Sequence, residues 1–390
     1  MKRAYPDEED DVSLPGKLMT NAFRLQCDDA ERERQPDSNV IVKWEELARK
    51  VAATLKGVKL KHHCEYKHLD SWSKRGITHP LVEYASAIEK TTSSVLTYEW
   101  KAPKEVTILS ESAIDLLCSN CFTINIFVTL PDSLFGKRDY INLIYPAKRA
   151  HYMCSSTVAL RKAFCDFVVD IVPGFATDKL FPNLQITDNS GSGRILIHFG
   201  ASESALAKPS RFSPNVSNLR ASTIYENITS KDEEATPYYN QRILRTVLES
   251  TVIRRVSAEL RHKETVTAAL ALVNRWFTCR GYHEFDPIFL ACFMVKLLEE
   301  NVVVNQQDLL TLLRNFFVAI VNWDISSPTG FHPNDLEDDV ISAHLASFPV
   351  VFLDHTGYWN IASGIPKESL VLGKGRPGSV APGFRRLPGF

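Results

Sequence analysis

Two cysteines with the spacing of half a zinc site are the most conspicuous candidates for chemistry in this sequence of 390 residues. They are Cys118 and Cys121, and a structural zinc ion would need two further cysteine or histidine ligands. The nearest candidates in the sequence are His62, His63, Cys64 and His68. Cys121 also begins a strand-like run, where small buried cysteines are common. We therefore favour a structural role for both cysteines and predict no metal site.

Motifs of several common enzyme classes are absent from the sequence. It contains no HExxH metal motif, no GxSxG nucleophile turn and no Walker-type phosphate loop. The segment from Gly191 to Gly193 is rich in glycine, but it joins two strand-like runs. A phosphate loop leads into a helix, whose N-terminus binds the anion. The segment therefore predicts a hairpin turn.

Two basic stretches could contact the phosphate backbone of a nucleic acid. Residues 137–162 contain six lysines and arginines against the single acid Asp139, and residues 59–75 contain five interleaved with Tyr66 and Trp72. The formal net charge of the whole chain is only −1, so any attraction to nucleic acid would be local. A solvated helix face is the alternative interpretation of each stretch.

The composition is that of a soluble globular protein, with 44% hydrophobic and 23% charged residues. No apolar run approaches the length of a membrane span, so we expect no membrane association. The acidic N-terminus is unlike a secretory signal. The eight cysteines lack a disulfide-like framework, which favours a reducing compartment such as the nucleus.

Hydrophobic periodicity divides the chain into four parts. Residues 1–38 are charged and predicted to be disordered, residues 39–225 mix helices and strands, residues 236–365 are helical, and residues 366–390 form a disordered tail. In the second part we predict helices at 42–55, 112–117 and 140–169 and strands at 94–100, 105–109, 122–130, 184–187 and 195–199. Asp286 is predicted to cap one helix of the third part, and Asn305 with Asp308 is predicted to open the next.

Three segments of the chain resemble the nucleolar RNA-associated protein family, Nrap. They are LPDSLFGKRDYINLIYPAKRAH (130–151), TPYYNQRILRTVLEST (236–251) and FPVVFLDHTGYWNIAS (348–363). The resemblance implies an α+β fold, in which a degenerate nucleotidyltransferase-like mixed α/β domain (39–225) precedes a helical domain (236–365) like that of poly(A) polymerases and oligoadenylate synthases. Family members are normally much longer, so the resemblance covers their N-terminal portion.

The resemblance also shows where catalytic groups would lie. Active nucleotidyltransferases use a Gly-Ser turn near the nucleotide phosphates, and strand carboxylates hold two divalent metal ions. Here the turn falls at Ser110 and Glu111, and the two strand aspartates fall at Cys121 and Asn125. No Asp or Glu occurs from residue 118 to residue 130, and neutral side chains bind Mg²⁺ poorly. We therefore predict no catalysis and no cofactor.

The resemblance implies a scaffold of the nucleolar small-subunit processome that assists processing of the pre-rRNA for 18S rRNA. Its partners would be pre-rRNA, the UTP-C proteins and casein kinase II, for which Ser230 lies in an acidic context. The residues predicted to contact RNA are Lys137, Arg138, Lys148 and Arg149. Two alternatives are an active RNA nucleotidyltransferase and a truncated family member without independent function.

Overall fold

The computed structural model describes Leu25 and residues 38–59, 63–65, 69–91, 97–109, 122–220 and 234–371. Several predicted features lie outside these residues. They are the acidic N-terminal segment, the helical turn at 112–117, the proposed phosphorylation site at Ser230, and the positions Ser110, Glu111, Cys118 and Cys121. The other elements can be compared directly with the structure.

A five-stranded mixed sheet forms the centre of the N-terminal half. The described residues of this half contain seven strands, five of them in the central sheet. They are β1 (His63–Glu65), β2 (Thr97–Glu99), β3 (Glu105–Leu109), β4 (Phe122–Thr129), β5 (Val168–Gly174), β6 (Asp178–Thr187) and β7 (Gly193–Gly200). The central sheet has the order β3-β4-β7-β6-β5, in which β4 and β7 are parallel and the other neighbours are antiparallel. Strands β1 and β2 form a separate antiparallel pair.

Alternation along β4, within the predicted strand 122–130, gives the sheet two different faces. Ile124, Ile126 and Val128 are buried in a core formed with helix α1 (Ser38–Gly57) and helix α3 (Ile144–Ala163). Asn125 lies on the opposite face because successive strand residues point to opposite sides. Between α1 and α3 in the chain lies a short helix, α2 (Ala85–Thr91).

The approach of α1 to the sheet depends on a glycine. A Cβ atom added at Gly193 would lie 2.4 Å from Nε1 of Trp44, which is completely buried. Only glycine therefore lets the Trp44 ring lie against the start of β7.

Helix α3 is shorter than predicted and is buried on almost all sides. The prediction of one helix over 140–169 was wrong at its end, because β5 begins at Val168. Strand β5 is an edge strand in which only Val169 is buried, so its hydrophobic alternation is weak. Pro146 lies within the first turn of α3, where proline is tolerated.

The C-terminal half is helical, as predicted. Its elements are α4 (Pro237–Leu260), α5 (Glu264–Cys279), α6 (Pro287–Glu299), α7 (Leu309–Val321), β8 (Thr329–Gly330), α8 (Asp338–Ser347), β9 (Phe352–Leu353) and α9 (Lys367–Val371). Asp286 accepts a hydrogen bond from the backbone of Ile288 at 2.9 Å, and Asp308 from that of Leu310 at 3.1 Å. The predicted cap at Asp286 is confirmed. At the next helix Asp308 is the cap, so the helix begins later than the predicted start at Asn305.

The predicted disordered tail begins with structure. Residues 367–371 form α9, and Leu370 on this helix is buried against the helical core. The helical part therefore extends to residue 371, and residues 372–390 lie outside the described residues. A mixed sheet followed by a helical unit confirms the α+β class. No helix in the described ranges is both long and apolar enough to cross a membrane.

Candidate functional site

Asn125 lies at the centre of the sheet face that looks toward the helical half. Its side chain is buried, and its Oδ1 atom lies 2.8 Å from Nε2 of His198 on the neighbouring strand β7. The His198 ring stacks on Phe127 with the ring centroids 4.5 Å apart. A neutral amide and an imidazole thus contact each other where the family resemblance would place metal-binding carboxylates.

An ion-pair network continues from His198 into the helical half. Nδ1 of His198 lies 3.5 Å from Oε2 of Glu249 on α4, and Glu249 Oε1 lies 3.0 Å from Nη2 of Arg245. Nη1 of Arg245 lies 2.5 Å from Oδ2 of Asp286, the residue that caps α6. The chain of contacts from Asn125 to Asp286 therefore joins the sheet to two helices. We call it the junction network.

The charges of the junction network stabilise one another. Burial opposes ionisation of Glu249, but the charge of Arg245 and the contact with His198 hold the pKa of its carboxyl at about 2. Burial likewise opposes the charge of Arg245, but Asp286 and Glu249 outweigh it and raise its pKa. Burial raises the pKa of Asp286. The carboxylate of Glu249 is therefore engaged with Arg245 and His198.

The donor set at this face does not fit a two-metal site. Two hard divalent ions require several anionic oxygens, and the only oxygen that Asn125 offers as a ligand already contacts His198. In the described part of the chain, no three His, Cys, Asp or Glu side chains are grouped so that they could hold a metal ion. Glu249 is engaged with Arg245 and His198.

Strand β7 carries a histidine on the face of the sheet that holds Asn125. The predicted strand 195–199 is confirmed within β7, and His198 is its polar residue on the site face. Asp188 lies in the turn before β7, where it accepts hydrogen bonds from the backbone of Ser190 and Gly191 and pairs with Lys43. Asp188 is thus a residue of the turn before β7.

The four residues predicted to contact RNA separate into two pairs. Lys137 and Arg138 are exposed in the loop before α3. Lys148 and Arg149 are 6% and 2% exposed, so the expectation that they meet RNA at the surface is corrected. They are buried because α3 has no polar face of its own. Sequence composition alone gave no sign of this difference.

Lys148 holds the loop that presents Lys137 and Arg138. Its Nζ atom donates to the carbonyl of Leu134 at 2.8 Å and lies 2.6 Å from Oδ2 of Asp139. The same carboxylate oxygen accepts a hydrogen bond from the backbone of Gly136 at 2.7 Å. A buried cation therefore fixes the backbone on either side of the two exposed cations.

A third exposed cation, Arg211, lies on the adjoining loop. Asn142 N donates to the carbonyl of Asn218 at 2.7 Å, and Asn218 Nδ2 donates to the carbonyl of Arg211 at 2.9 Å. These bonds join the two loops. In the described residues none of the side chains of Lys137, Arg138 and Arg211 has an ion-pair partner. We call these three residues the basic surface.

The fold and site together define an α+β protein in which a five-stranded mixed sheet carries the amide of Asn125 against the imidazole of His198. A sequence model of the family described as Nrap protein domain 1 matches residues 59–260, more than half of the chain. The chain therefore belongs to the Nrap family, as its sequence predicted. The match includes α4 and so extends beyond the predicted first domain.

Relatives named Nucleolar protein 6 are similar to this chain. The relative from Drosophila pseudoobscura pseudoobscura is 23% identical over 287 residues, which are 68% of this chain and 23% of that protein. The relative from Drosophila melanogaster is 23% identical over 288 residues, or 71% of this chain and 24% of that protein. The chain thus spans about a quarter of the length of these relatives. Their shared name agrees with the predicted nucleolar localisation.

Solved structures show a weaker similarity. Terminal uridylyl transferase 4 from Trypanosoma brucei has a TM-score of 0.39 and 9% identity, covering 83% of this chain and 95% of that chain. The cyclic AMP-GMP synthase DncV from Vibrio cholerae has a TM-score of 0.32 and 12% identity, covering 86% and 84%. Similarity at this level says nothing about what this chain does.

Proposed function

We propose that this chain is a non-catalytic, RNA-associated protein of the nucleolus. Within that role we assign it to the small-subunit processome, where it assists the processing of pre-rRNA to 18S rRNA. Its partners in this proposal are pre-rRNA, the UTP-C proteins and casein kinase II. The observation that carries the proposal is the contact between Asn125 and His198, which places an amide and an imidazole where the family resemblance would place a metal-binding carboxylate.

The junction network supports a scaffold rather than an enzyme. A nucleotidyltransferase needs metal ions to activate the attacking hydroxyl and to stabilise the leaving pyrophosphate. Here Glu249 contacts Arg245 and His198, and Arg245 contacts Asp286, so the charges serve to join the sheet to α4 and α6. A fixed junction suits a protein that presents surfaces to other molecules.

The basic surface supports contact with RNA. Lys137, Arg138 and Arg211 are exposed, and hydrogen bonds fix the loops that hold them. Exposed cations on fixed loops can follow a phosphate backbone without the entropy cost of ordering a flexible segment. Binding through phosphates would depend strongly on salt and weakly on sequence.

We expect the triple variant Lys137→Glu, Arg138→Glu and Arg211→Glu to bind single-stranded RNA about tenfold more weakly. This corresponds to a loss of about 0.5 kcal/mol of binding free energy for each reversed cation. The slope of log K against log salt should decrease in magnitude by about 2, since each lost phosphate contact removes about 0.7. Filter binding of a labelled pre-rRNA fragment over a salt series measures both quantities.

A matched control reverses three exposed cations elsewhere on the chain. Lys56 lies at the end of α1, Arg261 follows α4, and Arg314 lies on α7. Their triple reversal to glutamate changes the net charge equally. Equal losses in both triple variants would mean that RNA responds only to net charge, and the basic surface would have no special role.

The non-catalytic part of the proposal has a direct test against the alternative of an active nucleotidyltransferase. We expect no extension of an RNA primer when the full chain is incubated with Mg²⁺ or Mn²⁺ and the four labelled nucleoside triphosphates. Background from co-purified enzymes is identified with Asn125→Ala, because extension by a contaminant is unaffected by that substitution. Extension that Asn125→Ala abolishes would contradict the proposal.

A further inference from the structure

A cavity of about 160 Å³ lies between the sheet and the helical half, beside the junction network. Its lining includes Arg149, Asp178, Asn183, Arg242, Glu249 and Trp359. Asn125 does not line it. Exposed side chains at its edge, Arg242 and Tyr238, open the cavity to solvent. A space of this size exceeds that of a single water molecule.

Arg149 reaches the cavity through a gap in the sheet. The pairing of β6 with β7 ends at Leu184 and Ile197, and beyond it Arg149 Nε donates to the carbonyl of Phe199 at 2.7 Å. Its Nη2 atom donates to Oδ1 of Asn183 at 3.2 Å. Nη1 of Arg149 has no hydrogen-bond partner among the described residues, although the side chain is 98% buried.

An unpaired hydrogen-bond donor on a buried cation costs free energy, so Nη1 of Arg149 requires an acceptor. Burial lowers the pKa of the Arg149 guanidinium from its usual value, but an arginine remains charged at neutral pH. Leaving such a group without a partner costs more than leaving a neutral one. The fold retains this cost in a buried side chain that lines the cavity.

The other polar groups of the lining determine which ligand would fit. Three acceptors of the lining are engaged: Asp178 contacts Arg242 at 3.2 Å, Glu249 contacts Arg245, and Gln241 Oε1 accepts from the backbone of Asn360. Arg242 is half exposed, and its Nε contacts Asp178. Because Arg149 keeps an unpaired donor beside these engaged acceptors, the site favours a ligand that supplies oxygen acceptors.

The net charge of the lining limits the size of that ligand. Three arginines, Arg149, Arg242 and Arg245, face three acids, Asp178, Glu249 and Glu284. Balanced charge would not hold a polyanion such as a triphosphate against its own repulsion. It suits one compact oxyanion between Arg149 and Arg242 at the rim, because a planar guanidinium matches the oxygens.

We propose that this cavity binds a single phosphate group, held between buried Arg149 and rim residue Arg242. The group is either free phosphate or a terminal phosphate monoester. The site is separate from the basic surface. It shares His198 and Glu249 with the junction network, although Asn125 itself does not line it. The proposal does not depend on the RNA-associated role.

The test uses the full chain and inorganic phosphate at constant ionic strength, with chloride as the reference salt. We expect phosphate to raise Tm with a saturable dependence on concentration. Arg242→Gln and Arg149→Lys should each raise Kd at least about tenfold, because each removes a charge-assisted hydrogen bond. Arg254→Gln, an exposed arginine on the same helix, is the control and should leave Kd unchanged.

Competition identifies the source of the phosphate. A 5′-phosphorylated oligoribonucleotide that displaces inorganic phosphate, where its 5′-hydroxyl counterpart does not, identifies a terminal phosphate. Absence of displacement by both identifies free phosphate. The basic-surface triple variant should bind phosphate as the wild type does, so failure of one proposal is distinguishable from failure of the other.

Two results would overturn the proposal. One is the absence of saturable stabilisation by phosphate, which would mean that only water meets Arg149. The other is an unchanged Kd in Arg242→Gln, which decides the matter even where Arg149→Lys fails to fold.

Discussion

Replacing Arg245 with methionine is expected to lower the free energy of unfolding at pH 7 by about 3–5 kcal/mol. The substitution leaves the buried carboxylates of Glu249 and Asp286 without their shared cation. Methionine has a similar length and fills most of the space, so the loss reports the uncompensated charges rather than a cavity. Urea denaturation followed by tryptophan fluorescence measures the change.

The pH dependence of this loss distinguishes charge from packing. In the wild type the pKa of Glu249 is about 2, below its ordinary value of 4.5, so its stabilising contribution is present above pH 4.5 and is lost as pH falls toward 2. Without Arg245, burial raises the pKa of both carboxyls, and the penalty then grows as pH rises. The difference between wild type and variant should therefore be smaller at pH 4.5 than at pH 7.

Arg254→Met is the matched control, because Arg254 also lies on α4 and also reaches the sheet. Its Nη2 atom lies 3.4 Å from Oε1 of Glu105 on β3, but both side chains are about half exposed. Exposed pairs contribute about 0–1 kcal/mol. Two results would show that the junction network does not stabilise the fold. One is that Arg245→Met lowers the free energy of unfolding no more than Arg254→Met does. The other is that the effect of Arg245→Met does not depend on pH.

The central sheet was predictable where one face is buried. Ile124 and Ile126 are buried in the core formed with α1 and α3. Asn125 between them must point to the other face, because strand side chains alternate with a period of two. The caps Asp286 and Asp308 were also predictable, because capping depends only on local sequence. Strand β5 was missed because an edge strand need not alternate, and its Pro173 weakens the pattern further.

The candidate site was predictable only in part. The family resemblance placed Asn125 at a metal position, but no local pattern connects it with His198 or Glu249, which lie 73 and 124 positions away in the sequence. Their contacts arise from tertiary packing. The burial of Lys148 and Arg149 was equally hidden, since basic residues in a helix ordinarily indicate a surface. Only the packing of α3 on several sides shows that they face the interior.

Replacing Gly200 with alanine is expected to lower the free energy of unfolding by about 3 kcal/mol, at the upper end of overpacking costs. A Cβ atom here would lie 1.9 Å from the carbonyl oxygen of Thr246, on the helix α4 backbone, so no side-chain rotation relieves the contact. Leu130 N donates to Gly200 O at 2.8 Å, and Tyr145 OH bonds Thr246 Oγ1 at 2.7 Å, so neither side moves freely. Hydrogen exchange should become faster in α4.

Gly57→Ala, with no atom within 4 Å of the added Cβ, is the control. Equal stability of the two variants would contradict the close approach of β7 and α4 on which the junction network depends.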